Sequence, residues 1–313
     1  MPDFDPNNYT KNDKYANFNM ATKGVYELGS VFKVINTAIG LDVGEIKADD
    51  TFDATKPIKV LKRTIKDFRP QARFLNVPEI LIHSSNIGSA QIALKFGKDA
   101  QKKFFREIGF LDKVKIELPE IASPIKPQRW TDLTAATISY GYGLAVTPLH
   151  YITAFSGLMN DGVFHNAKLI RSSDYHEGKR IISEESSKTL RDMLRLVVLD
   201  GSAKKANIKR YEVGGKTGTA EKLSSKGKYV NRKVRTTFVS AFPIHNPKYA
   251  LLVMLDEPKG NKKTWGFVTS GWNAVPTGSN IIKTIAPQLN VEPSYNEEIE
   301  ENDAILKALY QYE

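Results

Sequence analysis

The sequence predicts an α+β protein in which an antiparallel sheet is sandwiched by helices beside a helix-rich lobe. Three observations predict it: helical periodicity through the middle of the chain, β-branched apolar runs with a hairpin signature after residue 210, and a last helical pattern near the end. Helices and strands segregated in this way favour the α+β arrangement over a parallel Rossmann sheet. No internal repeat and no long Gly/Ser- or Pro-rich linker divides the 313 residues. One compact domain with subdomain lobes, residues 1–290, followed by an acidic tail, residues 291–313, is therefore the simplest division.

The elements follow in order. A polar segment reaches about residue 24, and from Ser30 the stretch SVFKVINTAIGL sets Val31, Val34, Ile35, Ala38 and Ile39 on one stripe of a buried helix. Residues 78–96 read as helical with a polar interruption at Ser84, Ser85 and Asn86, and residues 99–108 continue as an amphipathic helix. After an irregular Pro-containing stretch, Thr131–Ser139 is a helix and Tyr140-Gly141-Tyr142-Gly143 a turn. Thr147-Pro148 then supplies an N-cap and a first-turn proline for a helix to Met159. Glu184 and Glu185 mark the first turn of a helix from Ser183 to Asp200, which Gly201 stops. The runs at 234–242 and 249–257, separated by Pro243, Asn246 and Pro247, form a hairpin, and Thr277–Leu289 closes the domain as a helix. The tail beyond Val291 is expected to fray.

Composition narrows the function classes. With 41% hydrophobic and 26% charged residues, the chain can bury a substantial core. No apolar run is long enough to cross a bilayer, and the first residues do not resemble a signal peptide. The absence of cysteine excludes disulfides, thiol catalysis and thiolate metal sites. The five histidines, His83, His150, His165, His176 and His245, show no metal-binding spacing, so neither metal nor cofactor is expected. A formal charge of +10 suits anionic partners. Its densest basic stretch, Lys226–Arg235, lacks the pattern of a nucleic-acid reader and is read as a solvated loop.

Three ordered motifs carry the chemistry: Ser30-Val31-Phe32-Lys33, Ser84-Ser85-Asn86 and Lys216-Thr217-Gly218-Thr219. Each is weak alone. Ser30 could merely cap a helix with Lys33 as a surface charge, Ser84 or Ser85 could cap a helix end, and the third motif could be a Gly-rich turn. Together they are specific. A serine at a helix start and a lysine three residues on share one face, within reach of each other. Serine needs a base to become nucleophilic, and a lysine serves only if desolvation or a nearby cation lowers its pKa; Lys216 could be that cation. Gly29 permits close approach beside Ser30, and Gly214-Gly215 suit a strand that must lie against a substrate. Polar Ser84 and Asn86 within an apolar helical pattern need partners, which a site would provide.

The motifs match the S-x-x-K, S-x-N and K-T-G set of penicillin-binding proteins and serine β-lactamases. The phrases GVYELGSVFK, TFDATKPI, EILIHSSNIGSAQIA, SYGYGLAVTPL, GGKTGTAEK, FPIHNPKYALLVMLDEP and GWNAVPTGSNIIKTIAPQL resemble class B penicillin-binding proteins, most of all the septal, division-specific branch. The similarity spans residues 3–290. It implies a transpeptidase fold of the penicillin-binding-protein and serine β-lactamase type. It also implies that Ser30 attacks the penultimate D-alanine carbonyl of a peptidoglycan stem peptide and forms an acyl-enzyme that an acceptor amine resolves. Lys33 would be the base, Ser84 and Lys216 a proton relay, and Asn86 a partner of the substrate amide. Thr217 and Thr219 would hold the terminal carboxylate beside Gly218, and the backbone N–H groups of Ser30 and Thr219 would form the oxyanion hole. β-Lactams would acylate Ser30.

Two departures from the family pattern are visible: Leu28 replaces a common proline, and the middle motif is S-S-N instead of S-D-N. Neither removes a reacting group. Tyr15-Ala16-Asn17 looks like the tyrosine motif of related hydrolases but precedes the nucleophile, and is read as coincidence. Family members of this type carry an N-terminal membrane anchor and a pedestal, neither of which is read in this chain. The resemblance therefore implies the catalytic part of a longer protein at the periplasmic face of the cytoplasmic membrane. Its expected partners are a membrane glycosyltransferase and other division proteins, contacted through those missing parts, with no nucleic acid. A serine β-lactamase, a D,D-carboxypeptidase, an elongation-specific transpeptidase and a non-enzymatic β-lactam sensor are the competing readings. No E-x-x-L-N element lies between the second and third motifs, which argues against the class A β-lactamase.

Overall fold

In the computed structural model the described residues are 5, 7–8, 16–171, 177–223 and 229–310. The domain is organised around α1 (Phe32–Asp42), whose first nine residues, Phe32–Gly40, are all buried. A 3₁₀ turn, Gly29–Val31, leads into it. Tyr151, fully buried, donates its hydroxyl to the Val31 carbonyl at 2.7 Å and so pins the start of α1. Phe32 packs against Phe105, Phe110 and Tyr151 with ring centroids 5.8–6.3 Å apart.

A small lobe of two antiparallel pairs, β1 (Thr51–Asp53) with β4 (Phe74–Asn76) and β2 (Ile58–Val60) with β3 (Arg63–Ile65), precedes α2 (Val77–Ile82). The polar interruption foreseen at Ser84–Asn86 is a true break: Ser84 adopts a left-handed φ of 58°, and α3 (Asn86–Glu107) starts afresh with Ser85 as N-cap. A second kink, at Gly97, divides α3 near the expected gap between residues 96 and 99. α4 (Asp132–Ile138), capped by Thr131, follows. The Thr147 capping box and Pro148 open α5 (Pro148–Met159) as the sequence predicts, with His150 completing the box. A short pair, β5 (Val163–Phe164) and β6 (Lys179–Arg180), leads to α6 (Glu184–Leu199), capped by Ser183.

The main sheet is antiparallel, in the order β7 (Gly214–Leu223), β8 (Tyr229–Phe242), β9 (Tyr249–Asp256). Successive strand residues point to opposite faces, yet Phe238 and Val239 are both fully buried, as are Ala241 and Phe242. Both faces are therefore covered, the sandwich that the sequence predicts. α7 (Ala274–Gln288) lies on one face, where Gly278 lets it approach the Phe238 ring; it starts three residues before the predicted helix, capped by Asn273.

Two expectations are corrected. Within the supposed loop at Lys226–Arg235, residues 226–228 lie outside the described residues, but Tyr229–Arg235 belong to β8. Val234 is buried, and Arg235 lies 4.0 Å over the Tyr26 ring and 3.4 Å from Asp256, so the basic run is partly a paired strand. The tail beyond Val291 does not fray throughout: Asn296–Tyr310 forms α8, docked on α6. Asp303 grips the buried Arg195 guanidinium at 2.6 and 2.7 Å, Lys307 meets Asp200 at 2.8 Å, and the Tyr310 hydroxyl donates to Asp192 at 3.1 Å. Composition shows the acidic surplus of this helix, but not the buried Arg195 cation that meets it on α6.

Arg195 also donates to the Val213 carbonyl at 3.0 Å, just before β7, and to Asn207 at 3.2 Å. Removing Asp303 would strand a buried cation, so Asp303→Ala is expected to cost about 3 kcal/mol in urea unfolding. A loss below about 1 kcal/mol, the range of exposed pairs, would show that Arg195 is satisfied without α8.

Candidate active site

The three motifs converge. The Gly29–Val31 turn brings Ser30, α1 brings Lys33, the α2–α3 break brings Ser84, the first residue of α3 is Asn86, and β7 brings Lys216, Thr217, Gly218 and Thr219. Lys33 Nζ lies 2.7 Å from Ser30 Oγ, 2.8 Å from Asn86 Oδ1 and 3.4 Å from Ser84 Oγ. Lys216 Nζ lies 3.0 Å from the same Ser84 Oγ. Both lysines are fully buried, whereas Ser30, Ser84 and Asn86 are partly exposed, so the amines stand behind a front of hydroxyls and an amide.

Burial penalises the ammonium form. It lowers the Lys216 amine to about 7. Lys33 lies well below the usual lysine value, first because of burial and then because of the Lys216 charge, while the Asp67 carboxylate pulls the other way. One amine can thus be neutral and accept a proton while the other still carries one.

Close backbone contacts set the cleft. Gly29, at a φ of 63°, passes so near β7 that a Cβ would sit 2.9 Å from the Thr219 carbonyl oxygen. Because the N–H and C=O of one strand residue point to the same edge, the Thr219 amide faces the Ser30 side as well. Gly141, at a φ of 92°, packs against the other side of this turn, where a Cβ would fall 2.1 Å from the Gly29 oxygen. At Gly218 a Cβ would come within 2.4 Å of the Leu28 oxygen. The threonines are held in place: Thr217 Oγ1 shares a 2.5 Å hydrogen bond with Ser202 Oγ, and Thr219 Oγ1 accepts the Ser270 N–H at 3.2 Å.

Asp67, Ser202, Ser270 and Tyr140, whose ring centroid lies 5.9 Å from Lys33 Nζ, belong to this site but were not singled out by the motifs. Tyr140 stands in the turn quoted above, and Ser202 follows the helix-stopping Gly201. Asp67 and Ser270 carry no local signal. Tyr15 and His176 lie outside the described residues. Among the described residues no group of three or more His, Asp or Glu side chains is placed to hold a metal ion.

A serine hydroxyl on a neutral buried amine, with a second amine joined through another serine, is an arrangement capable of covalent acyl transfer. Comparison with known proteins supplies the family. Residues 1–270 match the model of the penicillin binding protein transpeptidase domain, and the chain belongs to that family. It is 37% identical over 301 residues to "Probable peptidoglycan D,D-transpeptidase FtsI" of Caulobacter vibrioides, covering 93% of this chain and 51% of that protein. It is 29% identical over 295 residues to "Peptidoglycan D,D-transpeptidase FtsI" of Escherichia coli, covering 93% and 49%. With "Stage V sporulation protein D" of Bacillus subtilis it shares 30% over 314 residues, covering 95% and 48%. The chain thus spans about half the length of these relatives. The solved apo TP domain of Burkholderia pseudomallei penicillin-binding protein 3 superposes with a TM-score of 0.81 at 28% identity, covering 88% of this chain and 83% of that one.

Gly141→Ala tests the backbone packing. The added methyl is expected to displace the Gly29 carbonyl, and Ser30 with it, slowing acylation by a fluorescent penicillin about a hundredfold. An unchanged rate in a folded variant would show that this contact does not place Ser30.

Proposed function

We propose that this chain is the catalytic part of a peptidoglycan D,D-transpeptidase, which cross-links stem peptides through a Ser30 acyl-enzyme and is blocked by β-lactams. The observation that carries the reading is the 2.7 Å approach of Ser30 Oγ to a fully buried Lys33 amine. Lys33 takes the Ser30 proton as Oγ bonds to the penultimate D-alanine carbonyl carbon. The resulting oxyanion is held by the Ser30 and Thr219 amides. As the C–N bond breaks, Lys216 passes a proton through Ser84 to the leaving amine, and terminal D-alanine departs. Ser84, 3.4 Å from one amine and 3.0 Å from the other, then lets Lys33 return a proton to Lys216. An acceptor amine attacks the ester, Lys33 takes its proton, and that proton goes to Ser30 Oγ as the C–O bond breaks.

Asn86 Nδ2 donates one hydrogen to the Lys66 carbonyl at 3.1 Å, leaving its second for the substrate amide. Thr217, Gly218 and Thr219 receive the terminal carboxylate. Septal wall synthesis is favoured by the relatives named FtsI, one of which is 37% identical over 93% of this chain. On that reading the chain works at the periplasmic face of the cytoplasmic membrane. Among the described residues no helix is long and apolar enough to cross it, and an anchor would belong to the remaining half of the protein. A membrane glycosyltransferase and other division proteins would be contacted there.

Intact-mass spectrometry with a penicillin, beside Ser30→Ala, is the test. A stable one-to-one adduct on the wild type alone, with transfer of a thioester acyl group to a D-amino acid, is expected. Rapid adduct loss with hydrolysed drug would indicate a β-lactamase, acyl transfer to water alone a carboxypeptidase, and an adduct without thioester turnover a sensor. The acylation rate should rise with pH as Lys33 loses its proton and fall again near pH 7 as Lys216, the proton donor, loses its own. A rate that keeps rising to pH 9 would remove Lys216 from that role.

A further inference from the structure

Asp67 lies on the segment between β3 and β4, distant in sequence from every motif, and is 7% exposed. Its Oδ1 accepts the backbone N–H groups of Asn86 at 2.6 Å and Ile87 at 3.0 Å, and its Oδ2 accepts the Ser85 hydroxyl at 2.8 Å. Ser85 Oγ in turn accepts the Gly88 N–H at 3.0 Å. The first three amides of α3 are thus satisfied, two by a carboxylate from another part of the chain, where the helix dipole favours an anion. The residue beside it completes the clamp: the Lys66 carbonyl accepts Asn86 Nδ2. With its backbone and its Nδ2 both held, Asn86 must turn Oδ1 toward Lys33.

The consequence follows from counting hydrogens. A neutral lysine amine has two N–H donors and one lone pair. Asn86 Oδ1 at 2.8 Å and Ser84 Oγ at 3.4 Å can take the two hydrogens, leaving the lone pair for the Ser30 hydroxyl at 2.7 Å. Without the Asn86 acceptor the amine is free to rotate.

We propose that Asp67 is a positioning residue of the acylation step: by clamping Asn86 it aims the Lys33 lone pair at Ser30, and its charge offsets that of the two buried amines. The proposal rests on the reading of Lys33 as base. The groups that meet Lys33 are Ser30 on its own side, Ser84 and Asn86 from the α2–α3 break, Lys216 from β7 and the Tyr140 ring after α4. Asp67 is the anion whose field acts on Lys33, and it favours the protonated amine against burial and Lys216.

Two variants separate geometry from charge. Asp67→Asn keeps an oxygen for the Asn86 and Ile87 amides, while Asp67→Ala keeps nothing. Asp67→Asn is expected to hold the plateau rate of penicillin acylation within about tenfold of wild type, and Asp67→Ala to lower it by about a hundredfold, the cost of a slightly misplaced catalytic group. In Asp67→Asn, Lys33 should lose its proton roughly one pH unit lower, because an attractive charge has gone. That titration is read directly by NMR of ¹³Cε-lysine, with Lys33→Arg for assignment, and independently by the acid limb of the acylation profile. Thermal melting checks folding; if Asp67→Ala does not fold, Asp67→Ser, whose shorter side chain cannot hold both the Asn86 and Ile87 amides, replaces it as the test of positioning. A Lys33 titration coincident in wild type and Asp67→Asn overturns the charge role, and Asp67→Ala folded and acylating at the wild-type rate overturns the positioning role. If the wild type forms no adduct, the nucleophile reading fails while the NMR titration still decides whether Asp67 acts on Lys33.

Discussion

The structure depends on keeping two lysine amines out of water within hydrogen-bonding reach of one serine. An ammonium in a dry interior is costly, and two side by side are costlier. On the proposed function that penalty is the source of the chemistry: burial drives one amine toward its neutral, basic form at a pH where an exposed lysine stays charged. The domain therefore has to bury the amines without letting them relax toward solvent. Placing Lys33 on a helix with nine consecutive buried residues achieves this for one, and a strand buried on both sides does so for the other.

The same requirement explains the crowding around Ser30. A hydroxyl that must meet a buried amine and still be accessible has to stand at the rim of a narrow opening. Gly29, Gly141 and Gly218 let three backbone segments close on one another at distances that exclude a Cβ, and the Tyr151–Val31 hydrogen bond anchors the turn from inside. Positional precision thus comes from backbone contact, which has fewer ways to yield than side-chain packing.

Much of this was legible in the sequence because it is written in short-range patterns. Residue spacing marked α1, α5 and α6, the last two with their N-terminal boundaries at Thr147 and Ser183, and three motifs marked eight candidate residues that the fold brings together. What escaped depends on pairing between distant segments. Asp67 in the stretch IKDFRP has no periodicity and no motif; its role exists only once the small lobe brings it to the start of α3. The acidic tail read as prone to fray because its partners, Arg195 and Asp192 on α6, are about a hundred residues away. The early part of β8 read as loop because its charges signal solvent until Asp256 and Tyr26 are set beside Arg235.

An open strand edge is ordinarily a liability, since unpaired backbone groups invite pairing with another chain. In the described sheet β7 is an edge strand, bonded to β8 on one side and unpaired by any strand on the other, where the backbone at Leu28 and Gly29 packs against Gly218 and Thr219. On the proposed function that edge is useful, because an extended stem peptide can lie along it and use backbone hydrogen bonds for registration. On that reading one of the two oxyanion donors, the Thr219 amide, belongs to the element that aligns the substrate, and the Lys216 side chain reaches Ser84 from that same strand. Arg195 ties the approach to β7 to α6 and α8 through the Val213 carbonyl. On that reading the strand that would receive substrate is fixed at its entry by a buried ion pair and left without a strand partner along its other edge, so rigidity and access are divided along one element.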